Sequence, residues 1–154
     1  MKLPGLRSLA WVLVKQWIRL KFPDVQTISP EQLDTWLNSA DRPPPQVIDA
    51  RKPEEYRVSH LPNAQQASLV QPPWQDISPD TPIVVYCSVG YRSARLAQRL
   101  QAMGHSQVFN LEGSIFEWVN EGRSVYQNGQ TVEQVHPYNA TWGQLLKSRA
   151  RGNG

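Results

Sequence analysis

The chain has one cysteine, Cys87, among 154 residues. An internal disulfide and every zinc site built on several cysteines are therefore excluded. A free thiol suits a reducing, cytoplasmic compartment. Histidine is scarce as well: His60, His105 and His136 are widely spaced and show no metal-ligand pattern. Charged residues make up 19% of the chain, and the net charge is a mild +3. Much of the positive excess lies at the two ends, in Lys2, Arg7, Lys15, Arg19 and Lys21 and in Lys147, Arg149 and Arg151. A nucleic-acid domain spreads its basic residues over a folded face, so no nucleic-acid partner is expected. Basic ends leave room for contact with an anionic surface. Long apolar runs are missing too. The first one is broken by Lys15 and falls short of the roughly 20 residues a membrane span needs. Arg19-Leu20-Lys21-Phe22-Pro23 is a poor signal-peptide cleavage site.

What is present suits one packed domain with chain to spare. Apolar residues reach 40%, enough for a core. Residues 1–24 form a separate segment. Leu6, Leu9, Ala10, Leu13, Trp17 and Leu20 recur at helical spacing, with Ser8, Lys15, Gln16 and Arg19 opposite. The pattern predicts a basic amphipathic helix over residues 1–22 that contacts a membrane surface or a partner, or else packs on its own domain. Pro23 ends it.

Strand and helix signals then alternate over residues 25–124. Strands are expected at 25–28, 46–50, 64–69, 83–86 and 107–111. Helices are expected at 31–38, 53–58, 93–103 and 114–120. Ser29 is a good N-cap and Pro30 suits the first helical turn. Residues 71–82 carry four prolines and look like loop. The alternation defines an α/β fold with a mainly parallel central sheet and helices on both faces. Residues 125–154 are polar and predict an irregular extension wrapping the domain, a short helix from Thr141, and a frayed basic end.

A lone cysteine is by default a small buried hydrophobe. The surroundings of Cys87 argue otherwise. The apolar strand Ile83-Val84-Val85-Tyr86 runs straight into it, Gly90 turns the chain, and a helix begins near Ser93. Ligands of open α/β sheets bind beyond the carboxyl ends of the strands. A helix N-terminus there offers unpaired N–H groups and a favourable dipole to an anion. Such a site favours a thiolate over a thiol. The backbone of Ser88, Val89, Gly90, Tyr91, Arg92 and Ser93 should cradle it. Arg92 either lines the pocket or is a solvated charge. Asp49 is expected to be structural near the site. Arg51 is expected either to contact substrate or to pair with Glu54 or Glu55. Trp36 and Trp118 are expected in the core.

These stretches, in this order, resemble the rhodanese-like family. Cys87, Gly90 and Arg92 match its active-site loop. Val47-Ile48-Asp49-Ala50-Arg51 is similar to its strand ending in Asp-x-Arg. Residues 54–64 resemble its Glu-[Phe/Tyr]…Gly-His-[Ile/Leu]-Pro-Gly-Ala stretch, and residues 108–118 its Leu-x-Gly-Gly…Trp stretch. The resemblance covers residues 25–123. Ser59, Asn63 and Ser114 depart from it, each standing where the family usually has glycine.

The resemblance implies a rhodanese-like fold and a thiosulfate sulfurtransferase. A sulfane sulfur from thiosulfate or a persulfide donor would pass through a Cys87 persulfide to cyanide, a thiol or a sulfur-accepting protein. This chemistry calls for no metal or organic cofactor. Related phosphatases and arsenate reductases have a seven-position loop, Cys-x₅-Arg, whereas Cys87 and Arg92 frame six positions. A third reading is a membrane-surface sulfur relay or adaptor with low turnover of its own.

Overall fold

The computed structural model describes residues 5–151. The first four residues of the predicted N-terminal helix, Lys2 among them, and residues 152–154 of the basic end lie outside the described residues.

Five strands form one parallel sheet: β1 (Gln26–Ile28), β2 (Gln46–Asp49), β3 (Gln65–Gln66), β4 (Ile83–Tyr86) and β5 (Val108–Leu111), in the order β1-β5-β4-β2-β3. The central strand β4 is buried along its whole length, as its unbroken apolar run requires. Its side chains divide two cores. Val84 and Tyr86 join Val47, Leu111, Trp36, Ile115, Phe116 and Trp118 on one face. Ile83 and Val85 join Ile48, Ala97, Leu100 and Val108 on the other. The expected strand at 64–69 shrinks to β3, because residues Ala67–Leu69 close into a 3₁₀ turn.

The helices are α1 (Leu6–Lys21), α2 (Pro30–Leu37), α3 (Pro53–Val58), α4 (Tyr91–Ala102), α5 (Ser114–Asn120) and α6 (Ala140–Gly143). At α2, Ser29 Oγ accepts the Gln32 N–H at 3.1 Å and the Gln32 side chain accepts the Ser29 N–H at 2.9 Å. This is a reciprocal cap with Pro30 in the first turn.

Helix α1 packs on the domain, and it does so through a different face from the one its leucines define. Trp11 and Ile18 are buried, Ala10 and Val14 lie against the same core, and Phe22 follows at the helix end. The indole of Trp11 donates to the Leu145 carbonyl at 3.3 Å. Lys15 pairs with Glu117 at 3.0 Å and Arg19 with Glu112 at 2.6 Å. The basic side expected to face an anionic surface is therefore tied to the domain. The outward side carries Leu6 (88% exposed), Leu9, Leu13 and Leu20 (75%). Among the described residues, no helix is long and apolar enough to cross a membrane.

The C-terminal extension is more ordered than its polarity predicts. Strands β6 (Val125–Gln127) and β7 (Gln130–Val132) form a hairpin around Asn128 and Gly129, both at positive φ. Asn-Gly between two short runs was the signal for it. Ser59 and His60 anchor the extension: Ser59 Oγ donates to the Gln134 carbonyl at 2.7 Å, and His60 bridges Tyr126 through both backbone groups. The end is not frayed as far as Arg151, which bridges Val135 beyond a 3₁₀ turn at Ser148–Ala150.

Candidate active site

Cys87 stands at the carboxyl end of β4, 1% exposed. Gly90 sits at φ 119°, a conformation L side chains rarely adopt. It turns the chain at once into α4, so the helix begins at Tyr91 instead of near Ser93. The apolar periodicity that suggested the later start begins only with Ala94. The shift places Tyr91 and Arg92 in the first turn.

Two of the loop's carbonyls are held by α5. The Ile115 and Phe116 N–H groups donate to the Cys87 and Ser88 carbonyls, each at 3.1 Å. These are N-terminal helix donors with no partner inside their own helix. Ser114 fixes the next link: its Oγ accepts the Cys87 N–H at 3.1 Å and donates to the Leu111 carbonyl at 2.9 Å. The Gly90 N–H donates to Cys87 Sγ at 3.1 Å. The Ser93 hydroxyl lies 3.4 Å from Sγ and donates to Asn110 Oδ1 at 2.6 Å, while Asn110 Nδ2 donates to the Gly90 carbonyl at 3.0 Å. Asn110 was not singled out from the sequence, and Ser114 was noted only as a departure from the family's glycine. A polar residue inside the short buried strand Val108-Phe109-Asn110-Leu111 was the available signal for Asn110.

Arg92 folds back over the loop. Its guanidinium grips both carboxylate oxygens of Glu55, at 2.8 and 3.0 Å, and donates to Ser88 Oγ at 2.9 Å. Burial would push Glu55 up. The hydrogen bonds from Arg92 and the Lys52 N–H, with the charges of Arg92 and Arg51, outweigh it and hold the carboxyl below its ordinary value.

Arg51 corrects both sequence alternatives. It pairs neither with Glu54 nor with Glu55, and it does not line the space in front of Cys87. It is buried and gripped by Asp49, with Nη2 to Oδ2 at 2.7 Å and Nε to Oδ1 at 3.0 Å, and it donates to the Ser59 carbonyl at 2.7 Å. Burial works against its charge, but Asp49 outweighs burial and raises the guanidinium above its ordinary value. The cause of the misplacement is local. Asp49 Oδ1 also accepts the Arg51 N–H at 2.9 Å, so the two side chains are set face to face. Tyr86 donates to Asp49 Oδ2 at 2.7 Å, and its oxygen accepts the Leu61 N–H. Asp49 is thus a structural anchor beneath the loop.

The opening in front of Cys87 is a space of about 140 Å³, which Val89, Tyr91 and Arg92 line with Trp17, Tyr138 and Trp142. Trp17 stacks on Tyr91 at 4.9 Å between ring centres, and Phe22 meets Tyr91 edge-on at 5.2 Å. The Tyr138 ring covers the Arg92 guanidinium at 4.7 Å. Sequence reasoning did not place Trp17, Tyr138 or Trp142 here, because they lie far from Cys87 along the chain.

Known proteins resemble this chain over the domain that holds the site. A family model described as the rhodanese-like domain matches residues 29–121. The chain is 35% identical over 75 residues to YqhL of Bacillus subtilis, covering 47% of this chain and 60% of that one. It is 32% identical over 100 residues to a sulfurtransferase of Allochromatium vinosum, covering 64% of this chain and 92% of that one. Among solved structures it is similar to a rhodanese-related protein from Thermoplasma volcanium. That match has a TM-score of 0.55 and 25% identity, over 66% of this chain and 97% of that one. The chain belongs to the rhodanese-like domain family.

Proposed function

We propose that this chain is a sulfurtransferase in which Cys87 carries a sulfane sulfur between a small donor and a thiophilic acceptor. The observation that carries this reading is the Gly90 N–H donated to Cys87 Sγ at the mouth of a strand-to-helix loop. The Cys87 thiolate attacks the outer sulfur of the donor. For thiosulfate the sulfur–sulfur bond breaks and sulfite leaves with the bonding electrons. The persulfide anion on Cys87 is then held by the Gly90 N–H and the neighbouring first-turn N–H groups of α4, in the manner of an oxyanion hole. An acceptor thiolate or cyanide attacks the outer sulfur, and Cys87 leaves as thiolate. Membership in a family with named sulfurtransferases supports the reading.

The set of Arg92 argues against phosphate or arsenate chemistry. Its guanidinium is taken up by Glu55 and Ser88, and the loop from Cys87 spans six positions. An oxyanion in the loop would need that charge turned inward.

The deciding experiment is intact-protein mass spectrometry after mixing with excess thiosulfate. One added sulfur on the wild type and none on Cys87→Ser is the expected result. An unchanged mass with thiosulfate and with an organic thiosulfonate would overturn the reading.

A second reading concerns α1. We infer that its outer leucines rest on a lipid surface. Leu6, Leu9, Leu13 and Leu20 form an exposed apolar stripe with no charge among them, the pattern of a helix lying in an interface. Salt-paired Lys15 and Arg19 leave the apolar stripe as the main attraction.

A further inference from the structure

The mouth of the Cys87 pocket has the wrong chemistry for a dianion. Thiosulfate carries a strongly hydrated sulfonate end, and burying it without cations is costly. Among the described residues, the pocket lining offers one cation, Arg92. That guanidinium is already neutralised by both oxygens of Glu55 and shielded by the Tyr138 ring. Besides Cys87, the remaining walls are Trp17, Tyr91, Trp142 and Val89, with Ser88, whose hydroxyl oxygen is taken up by Arg92. An apolar space of about 150 Å³ is enough to hold a benzene ring, and this one measures about 140 Å³.

Three of the rings come from outside the stretch that matches the family, residues 29–121. Trp17 belongs to α1, and Tyr138 and Trp142 to the C-terminal extension. Their placement is built in. Tyr138 sits at φ 66°, and its N–H donates to His136 Nδ1 at 3.0 Å. Asn139 caps α6 by accepting the Trp142 N–H at 2.9 Å. At Gly143 a Cβ would come within 2.9 Å of Pro137, so this turn closes tightly enough only with glycine. Trp17 is held by its stack on Tyr91, which is braced in turn by Phe22.

We propose that this aromatic mouth selects sulfane-sulfur donors whose carrier is an apolar, ring-sized or alkyl group with at most one negative charge, such as organic persulfides and thiosulfonates. The proposal rests on the sulfurtransferase reading and names its substrate class. For an organic persulfide, the Cys87 thiolate forms a bond to the outer sulfur, and the donor's sulfur–sulfur bond breaks. The carrier leaves as a thiolate with the electron pair. For a thiosulfonate the leaving group is a sulfinate. Either step conserves charge and needs no oxidant or reductant. The rings stack on the carrier while the outer sulfur meets Cys87.

The test compares thiosulfate, methanethiosulfonate and benzenethiosulfonate as donors to cyanide, in the full chain and in Trp17→Ala, Trp142→Ala and Trp142→Lys. Thiocyanate release gives kcat/KM, and intact mass gives sulfur loading on Cys87. Intrinsic donor reactivity cancels when each variant is referred to the wild type. The expected result is that Trp17→Ala and Trp142→Ala lower kcat/KM for benzenethiosulfonate about tenfold more than for thiosulfate, the scale of a lost aromatic contact. Trp142→Lys should shift the ratio toward thiosulfate. Trp17 is nearly half exposed, so its loss leaves the core in place. Sulfur loading with equal losses for all three donors overturns the selectivity alone. No loading from any donor overturns sulfur transfer itself, and the selectivity with it.

Discussion

Ser114 holds the Cys87 N–H from a backbone conformation that serine rarely adopts. Its φ is 49°, and its Oγ lies 3.1 Å from the Cys87 nitrogen. Ser114→Gly relieves a left-handed backbone cost on the order of 1 kcal/mol but strands a buried N–H, at about 1–3 kcal/mol. Ser114→Ala strands the N–H without the relief. Urea denaturation should therefore rank the glycine variant between wild type and the alanine variant, and both should load sulfur more slowly. An alanine variant as stable as wild type would contradict the role of this bond.

The Glu55–Arg92 pair predicts a pH effect with a definite sign. Glu55 is held below its ordinary value when folded, so it binds more protons unfolded than folded in the acid range. Its stabilisation is complete above the unfolded value of about 4.3. It is lost as pH falls through the lower folded value. Glu55→Gln should be less stable at neutral pH by about 1–3 kcal/mol, with a flatter decline below about pH 4.3. Denaturant midpoints measured across that range check both statements. A variant with the same acid slope as wild type would remove Glu55 from the account.

The sheet and its helices were legible because their signals are local. Helices α3 and α5 fall where residues 53–58 and 114–120 predicted them, and the apolar run at 83–86 is β4. The Ser29 cap and the core positions of Trp36 and Trp118 were legible for the same reason. Cys87 could be placed because a strand end, a glycine and a helix start are adjacent in sequence. Other features depend on contacts that no pattern of residue types reveals. The Asp49–Arg51 grip excludes Arg51 from the pocket, and nothing in a one-dimensional pattern distinguishes it from an outward-facing arginine. Helix α1 has two apolar faces, and its stronger periodicity belongs to the face left exposed. Trp17 and Trp142 meet Cys87 only once both ends of the chain are folded back.

Helix α1 is expected to be part of the stability of the domain. Trp11 is 5% exposed and Ile18 7%, both in the main core. Trp11→Ala should cost about 3–5 kcal/mol. A chain starting at Asp24 should be markedly less stable than the full chain in chemical denaturation. A shortened chain with unchanged stability and activity would return α1 to the status of a separable segment.

The outer leucines should bind lipid with little help from charge. The full chain is expected to sediment with vesicles of neutral as well as anionic lipid, and raising the salt should change the bound fraction little. Leu13→Glu combined with Leu20→Glu should abolish sedimentation and leave the folded core intact, since both side chains are well exposed. Binding confined to anionic vesicles and lost in high salt would point instead to the basic residues. Sedimentation of neither protein would remove the lipid reading.

The pocket wall divides labour along the chain. Cys87, the Gly90 N–H that meets it and the Glu55–Arg92 clamp lie within residues 29–121, whereas Trp17, Tyr138 and Trp142 arrive from the two flanks. If the proposed sulfur transfer and donor selection hold, chemistry and taste are encoded on different stretches of polypeptide. On that reading, substitutions confined to the rings of Trp17 and Trp142 retune what enters and leave what reacts in place, whereas the buried residues of the same flanks, Trp11 and Leu146 among them, stay bound to the core.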